Sequence, residues 1–225
     1  MTKSLIFWGT GKVLDHPIFL QSIQFIRKEL NPTHLNSLEQ QVLERLIHTS
    51  GDFGVENLLQ FTPGACQLGF KALQKGAEII VDTSMAREAI KPMIKRTINV
   101  PILNIIDWAP NEFHKGWTRT AIGMKRLCKH LELNSQEKIA PIFVIGSSPT
   151  ALEVLLDCVS EGMKPPSLII GMPVGFIGVQ KSKERLCRSN IPSIILDGTR
   201  GGAALAASAV NALVRATYIQ EVNCT

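Results

Sequence analysis

Ile142-Phe143-Val144-Ile145-Gly146-Ser147-Ser148-Pro149-Thr150-Ala151-Leu152 passes from a short apolar run, through a glycine- and hydroxyl-rich turn, into a helix start. An apolar run without alternation reads as a strand buried on both faces. Proline is tolerated in the first turn of a helix, so Ser148-Pro149-Thr150 is a natural entry to a helix over Thr150–Ser160. The same strand, turn and helix recur on either side. Further strands are predicted at Glu78–Val81, Ile102–Ile106, Leu168–Gly171 and Ser193–Leu196, with helices at Ser84–Lys91, Thr118–Leu131 and Val179–Arg188 and a closing helix at Ala203–Arg215. Alternation of this kind builds βαβ units. It implies the α/β class, with a five-stranded, mainly parallel sheet carrying helices on both faces, a three-layer α/β/α arrangement.

Upstream of the sheet the pattern is helical. Phe19, Ile23, Ile26 and Leu30 recur at steps of three and four residues and form one apolar stripe, and Ser22 falls inside it. A second helix opens at Ser37 with Gln40 three residues on, a capping-box spacing, and stops at Gly51. A third runs from Ala65 to Lys75 between Thr62-Pro63 and Gly76. The chain therefore reads as one domain over 1–225, with a helical part (1–76), a doubly wound part (77–216) and a tail (217–225).

The 225 residues are 45% hydrophobic, enough for a substantial core. A net charge of +5 favours anionic ligands, yet no basic run interleaved with aromatics marks a nucleic-acid surface. Five cysteines without a CxxC pair read as reduced thiols in the cytoplasm, and not as a zinc site. No apolar stretch is long enough to span a bilayer, and the first residues lack a signal-peptide core. His16, His34, His114 and His130 show no metal-ligand spacing and read as surface or loop residues.

Ligands of open parallel sheets gather at the carboxyl ends of the strands. There the sequence places Asp82-Thr83-Ser84, Gly146-Ser147-Ser148-Pro149-Thr150, Gly171-Met172-Pro173-Val174-Gly175-Phe176 and Asp197-Gly198-Thr199-Arg200-Gly201-Gly202. Such loops bring backbone N–H groups and helix N-termini to an anion, although the glycines also suit plain tight turns. Neither a Walker A run nor GxGxxG is present, which argues against a nucleotide-binding oxidoreductase. Trp108 and Trp117 flank Ala109–Gly116, read as a loop over this edge.

His48 is the sharpest catalytic candidate. It falls in the last turn of its helix with Glu44 one turn earlier, and both features favour the imidazolium, a competent general acid. The same placement also suits a half-exposed histidine capping its helix. Arg45 borders the apolar face near His48, or is solvated. Arg119, between Thr118 and Thr120 at a helix start where the dipole prefers anions, is either an anion receptor or a surface charge.

Taken together, several of these stretches resemble the precorrin-8X methylmutases of cobalamin biosynthesis. The resemblance is carried by Ile145–Leu152, by Ile170–Gly178 followed by Ser182-Lys183-Glu184, and by Thr199–Gly202 leading into Ala209–Leu213. It is carried also by Ile47-His48-Thr49-Ser50-Gly51-Asp52 and by Thr118–Ala121 with Gly123-Met124. The chain differs at Ser147, where many members have asparagine, and at Ala89, where glycine is usual.

The resemblance implies a flavodoxin-like fold and a homodimer with its active sites at the subunit interface. It also implies an isomerase, with no cofactor and no metal, that moves a methyl group from C-11 to C-12 of a tetrapyrrole polycarboxylate. By matched position His48 is the proton donor, Ser22, Arg45 and Arg119 contact substrate, and Thr83, Arg200 and Gly201 line the pocket. A non-catalytic tetrapyrrole carrier of the same fold is the competing reading.

Overall fold

The computed structural model describes residues 15–112, 115–133 and 139–224, of which 223 and 224 are described as backbone only. Helices α1 (Pro17–Glu29), α2 (Ser37–Ser50) and α3 (Ala65–Gln74) precede the parallel strands β2 (Ile79–Val81), β3 (Ile102–Asn104), β4 (Ile142–Ile145), β5 (Leu168–Gly171) and β6 (Ser193–Leu196). Between these strands run α4 (Ser84–Arg96), α5 (Arg119–Leu133), α6 (Pro149–Ser160) and α7 (Val179–Arg188), and α8 (Ala203–Cys224) follows. The α/β class and the helical lead-in are as the sequence implies.

The sheet has six strands, not five. β1 (Leu59–Phe61) pairs antiparallel with β6, Leu59 facing Leu196 and Phe61 facing Ile194. Three residues after a 3-10 turn (Phe53–Leu58) show too little periodicity to be read as a strand; only the free edge of β6 makes them one. The sheet order is β1-β6-β5-β4-β2-β3. Its parallel portion has the doubly wound, flavodoxin-like arrangement, with the chain reversing direction across the sheet between β2 and β4.

All residues of β2, β4, β5 and β6 are buried, which is why these strands read as unbroken apolar runs. Their side chains alternate between two cores. Ile79, Val81, Ile142, Val144, Leu168, Ile170, Ile194 and Leu196 meet α1–α4 and α8; Ile80, Phe143, Ile145, Ile169 and Ile195 meet α5–α7. Gly146 lets α8 begin hard against β4, since a Cβ there would stand 2.7 Å from the Ala203 Cα.

Several boundaries move for local reasons. The α2 cap is Asn36, not Ser37: its side chain accepts from Leu38 and Glu39 N–H, and Glu39 accepts back from the Asn36 N–H. β3 stops at Asn104, whose side chain takes the Ile106 N–H and starts a 3-10 turn over Ile105–Trp108. α4 continues through Pro92 because Met93 and Ile94 beyond it are buried, so tertiary packing overrides the breaker. The closing helix is longer than the sequence predicts: α8 runs to Cys224 and buries Thr217, so residues 217–224 of the expected tail are helical. No helix among the described residues is long and apolar enough to cross a membrane.

Candidate active site

His48 sits where α1 crosses α2. His16 caps α1 by accepting from the Ile18 N–H, and the α1 stripe lies against α2 through Ile23, Ile26 and Leu30. Ser22 is thereby brought to His48, its Oγ 2.8 Å from Nδ1. Phe19, one helical turn earlier, presents its ring to the imidazole edge-on at 5.1 Å. The Arg45 guanidinium lies 4.6 Å from the centre of the same ring, and that of Arg215 at 6.0 Å. Arg215 is paired with Asp15.

The charge state of His48 differs from the sequence expectation. Glu44 is buried and committed elsewhere: it accepts from Arg27 Nε at 2.7 Å and Nη2 at 2.9 Å, and from Gln40. Desolvation of the packed side of the ring, and after it the charge of Arg45, pull the His48 pKa below the ordinary histidine value. The free protein therefore holds a neutral imidazole at pH 7. Arg45 is itself pulled down, first by burial and then by Arg215 and Arg96, with Asp15 opposing. The corner is short of negative charge.

The second group of candidates lies at the carboxyl edge of the sheet. Thr83 follows β2 and caps α4, its Oγ1 accepting from the Ala86 N–H at 3.3 Å. Beside it Asp82 is wholly buried and spans the reversal point between β2 and β4, taking the N–H groups of Ser147 at 2.6 Å and Ser148 at 2.8 Å. Burial pushes its pKa up against the pull of these N–H groups. Arg119 opens α5 and donates to the Pro110 carbonyl at 3.3 Å. Around it Thr118, Thr120, Ser148 and Thr150 close a ring of hydroxyl contacts of 2.6 to 3.0 Å, linking the starts of α5 and α6.

Arg200 and Gly201 follow β6. Gly201 packs so closely that a Cβ would fall 2.1 Å from the Met172 carbonyl oxygen. Arg200 pairs with Asp52, four residues beyond His48. Asp52 also accepts from the Gly54 N–H, and these two contacts hold its carboxyl below the usual range. Asp52 is thus the bridge between the loop after β6 and the end of the His48 helix.

The contacts divide the predicted residues in two. Ser22, Arg45 and His48 form one cluster through Phe19; Thr83, Arg119, Arg200 and Gly201 lie along the carboxyl edge. Sequence reasoning took Phe19 as core, and quoted Asp52, Asp82 and Lys183 within their stretches without giving any of them a role of its own. Lys183 carried a usable signal: it falls four residues after Val179 and three before Leu186, on the apolar stripe of its helix. The loop expected to cover the carboxyl edge meets it through the Pro110 carbonyl, which accepts from Arg119, while Trp108 at its start lies elsewhere. Trp108 packs against His130 at 4.7 Å and lines a cavity of about 480 Å³ with Glu78, Pro141 and Met163, towards the amino ends of β2 and β4. His114 lies outside the described residues.

The family profile of precorrin-8X methylmutases matches residues 17–216, a span that takes in both groups of residues. The chain belongs to the precorrin-8X methylmutase family. A cobalt-precorrin-8 methylmutase of Synechocystis is 36% identical over 215 residues, covering 89% of this chain and 95% of the relative. A precorrin-8X methylmutase of Pseudomonas aeruginosa is 38% identical over 202 residues, covering 87% and 93%. The crystal structure of the precorrin-8X methylmutase of Thermus thermophilus superposes with a TM-score of 0.78 at 29% identity, covering 90% of this chain and 96% of that one. Methylmutases named for the metal-free and for the cobalt substrate thus stand at similar distance.

Proposed function

We propose that this protein is the isomerase that moves the C-11 methyl group of precorrin-8X, or of its cobalt form, to C-12, giving hydrogenobyrinate or cobyrinate, with His48 as proton donor. The observation that carries the reading is the Ser22–His48 contact inside a corner rich in arginine, in a chain matched to the family over its length. With Nδ1 engaged by Ser22, Nε2 is the nitrogen left for a ligand. Whichever tautomer is present, protonation turns Nδ1 into a donor to the Ser22 hydroxyl, so the serine stabilises the acid form.

A neutral resting histidine fits this role when the substrate is a polycarboxylate. Burial is the first cause of the lowered His48 pKa and the Arg45 charge the second; carboxylates that settle against Arg45 cancel that second cause, so their charge favours the proton that His48 then donates. Protonation draws electron density from the macrocycle; the bond from the methyl group to C-11 breaks as that to C-12 forms. The proton returns to His48, and substrate and product are isomers.

We further propose that two copies associate with the active sites between them, in the cytoplasm. Large apolar side chains left exposed, Phe25 on α1 and Phe176 and Ile177 after β5, support a covered surface. The test is the visible spectrum of the purified protein with precorrin-8X and, separately, cobalt-precorrin-8, beside His48→Ala. Conversion by wild type alone supports the reading; binding without conversion of either substrate identifies a tetrapyrrole carrier.

A further inference from the structure

Lys183 is a buried ionisable group for which the chemistry above has no use. It is 1% exposed, on α7 between Val179 and Leu186, both of them core residues. A buried ammonium requires partners. Its Nζ donates to the carbonyl oxygens of Gly198 at 2.8 Å and Arg200 at 2.6 Å. Burial draws its pKa down to about 8, with Asp197 pulling it back up, so at neutral pH it is chiefly the ammonium.

Both acceptors belong to the glycine-rich segment between β6 and α8, whose backbone is intrinsically free to wander. Lys183 fixes its second and fourth carbonyls; the Gly175 N–H takes the one between, on Thr199, at 3.1 Å, and the Gly202 N–H donates to the Met172 carbonyl at 2.9 Å. The residue so fixed is Arg200, which pairs with Asp52 at the exit of the His48 helix. A hydrophobic residue in place of Lys183 would fill the same space and leave the segment unclamped.

We propose that Lys183 is a positioning residue for substrate binding: its ammonium clamps the carbonyls of Gly198 and Arg200 and so sets the Arg200 guanidinium where a substrate carboxylate meets it beside the His48 corner. The proposal rests on Arg200 as a substrate contact. Its reach is from α7, through a loop, to a side chain on the far side of that loop.

The test is a double-mutant cycle of Lys183→Met and Arg200→Ala, read in steady-state methylmutase kinetics and in hydrogen–deuterium exchange of the 198–202 amides. Losing two charge-assisted hydrogen bonds raises KM about tenfold with kcat little changed, and speeds exchange across the loop. In the Arg200→Ala background the same substitution adds less than about twofold to KM. An equal rise in KM in both backgrounds, or unchanged exchange, overturns the proposal. Should Lys183→Met fail to fold, Lys183→Gln, whose shorter neutral amide lacks the charge, is carried through the same cycle under the same criteria. If Arg200→Ala alone leaves KM unaltered, the assignment of Arg200 to substrate fails, and exchange at the loop alone decides whether Lys183 clamps it.

Discussion

The crevice between β2 and β4 and the corner between α1 and α2 hold polar groups in opposite ways. In the crevice Asp82 is fully buried, and its carboxylate takes two backbone N–H groups of the loop across the gap. Four hydroxyls beside it satisfy one another. At the corner the charges of Arg215 and Arg96 act on Arg45, with Asp15 as the opposing charge, and His48 stands at the surface with a lowered pKa. Open sheets of this order commonly receive ligands at the reversal point. Here the chain places its own carboxylate across that point, one oxygen taking two N–H groups and the other buried without a hydrogen-bond partner, while the cationic surplus that a polyanionic ligand relieves sits on the helical corner. On the proposed function, the proton donor stands apart from the crevice that ties the sheet together.

Breaking the corner touches rate without touching the fold. His48→Ala lowers turnover by about 10²- to 10⁴-fold in the spectral conversion assay, the range of a lost general acid, while thermal unfolding is unchanged because the ring is exposed. Breaking the crevice does the reverse. Asp82→Ala leaves the Ser147 and Ser148 N–H groups without their acceptor and destabilises by about 2–4 kcal/mol in urea unfolding.

The electrostatic half of the comparison is sharpened by pH. As a proton donor His48 works in its protonated form, which is present below its pKa and lost as pH rises through it, so kcat/KM falls off from a point below pH 6.5. Arg45→Met removes the second cause of the depression and moves that fall to higher pH, while raising KM. The limb of kcat, which reports the complex, lies at higher pH than that of kcat/KM in the wild type and closes up to it in the variant. The smallest effect belongs to Ser22→Ala, a loss of about 1 kcal/mol in transition-state stabilisation from one hydrogen bond, measured as kcat/KM.

Most of the fold was legible because it is written in local terms. β4 to α6 is four buried apolar residues, a hydroxyl-rich turn and a proline-started helix, and the structure realises it within one residue. β1 was illegible because three residues acquire strand identity only from the open edge of β6. The passage of α4 through Pro92 was illegible because the burial of Met93 and Ile94 outweighs a local breaker. In the site, the inward hydroxyl of Ser22 and the terminal position of His48 were readable from periodicity, but the charge on His48 was misread. Glu44 is one turn from His48 in sequence, and its carboxylate belongs to Arg27 of another helix.

By itself the sequence determined the class of fold, the family and the candidate residues from which the proposed role of His48 is argued, since periodicity, turn chemistry and motif spacing are properties of neighbours along the chain. Tertiary structure alone decided that Ser22 meets His48, that Asp52 joins Arg200 to the end of α2, that Asp82 spans the sheet, and that Lys183 holds the loop. Those are pairings between residues 15 to 148 positions apart. Their energies depend on burial and on competing partners, quantities that exist only once the helices and the sheet have closed on one another.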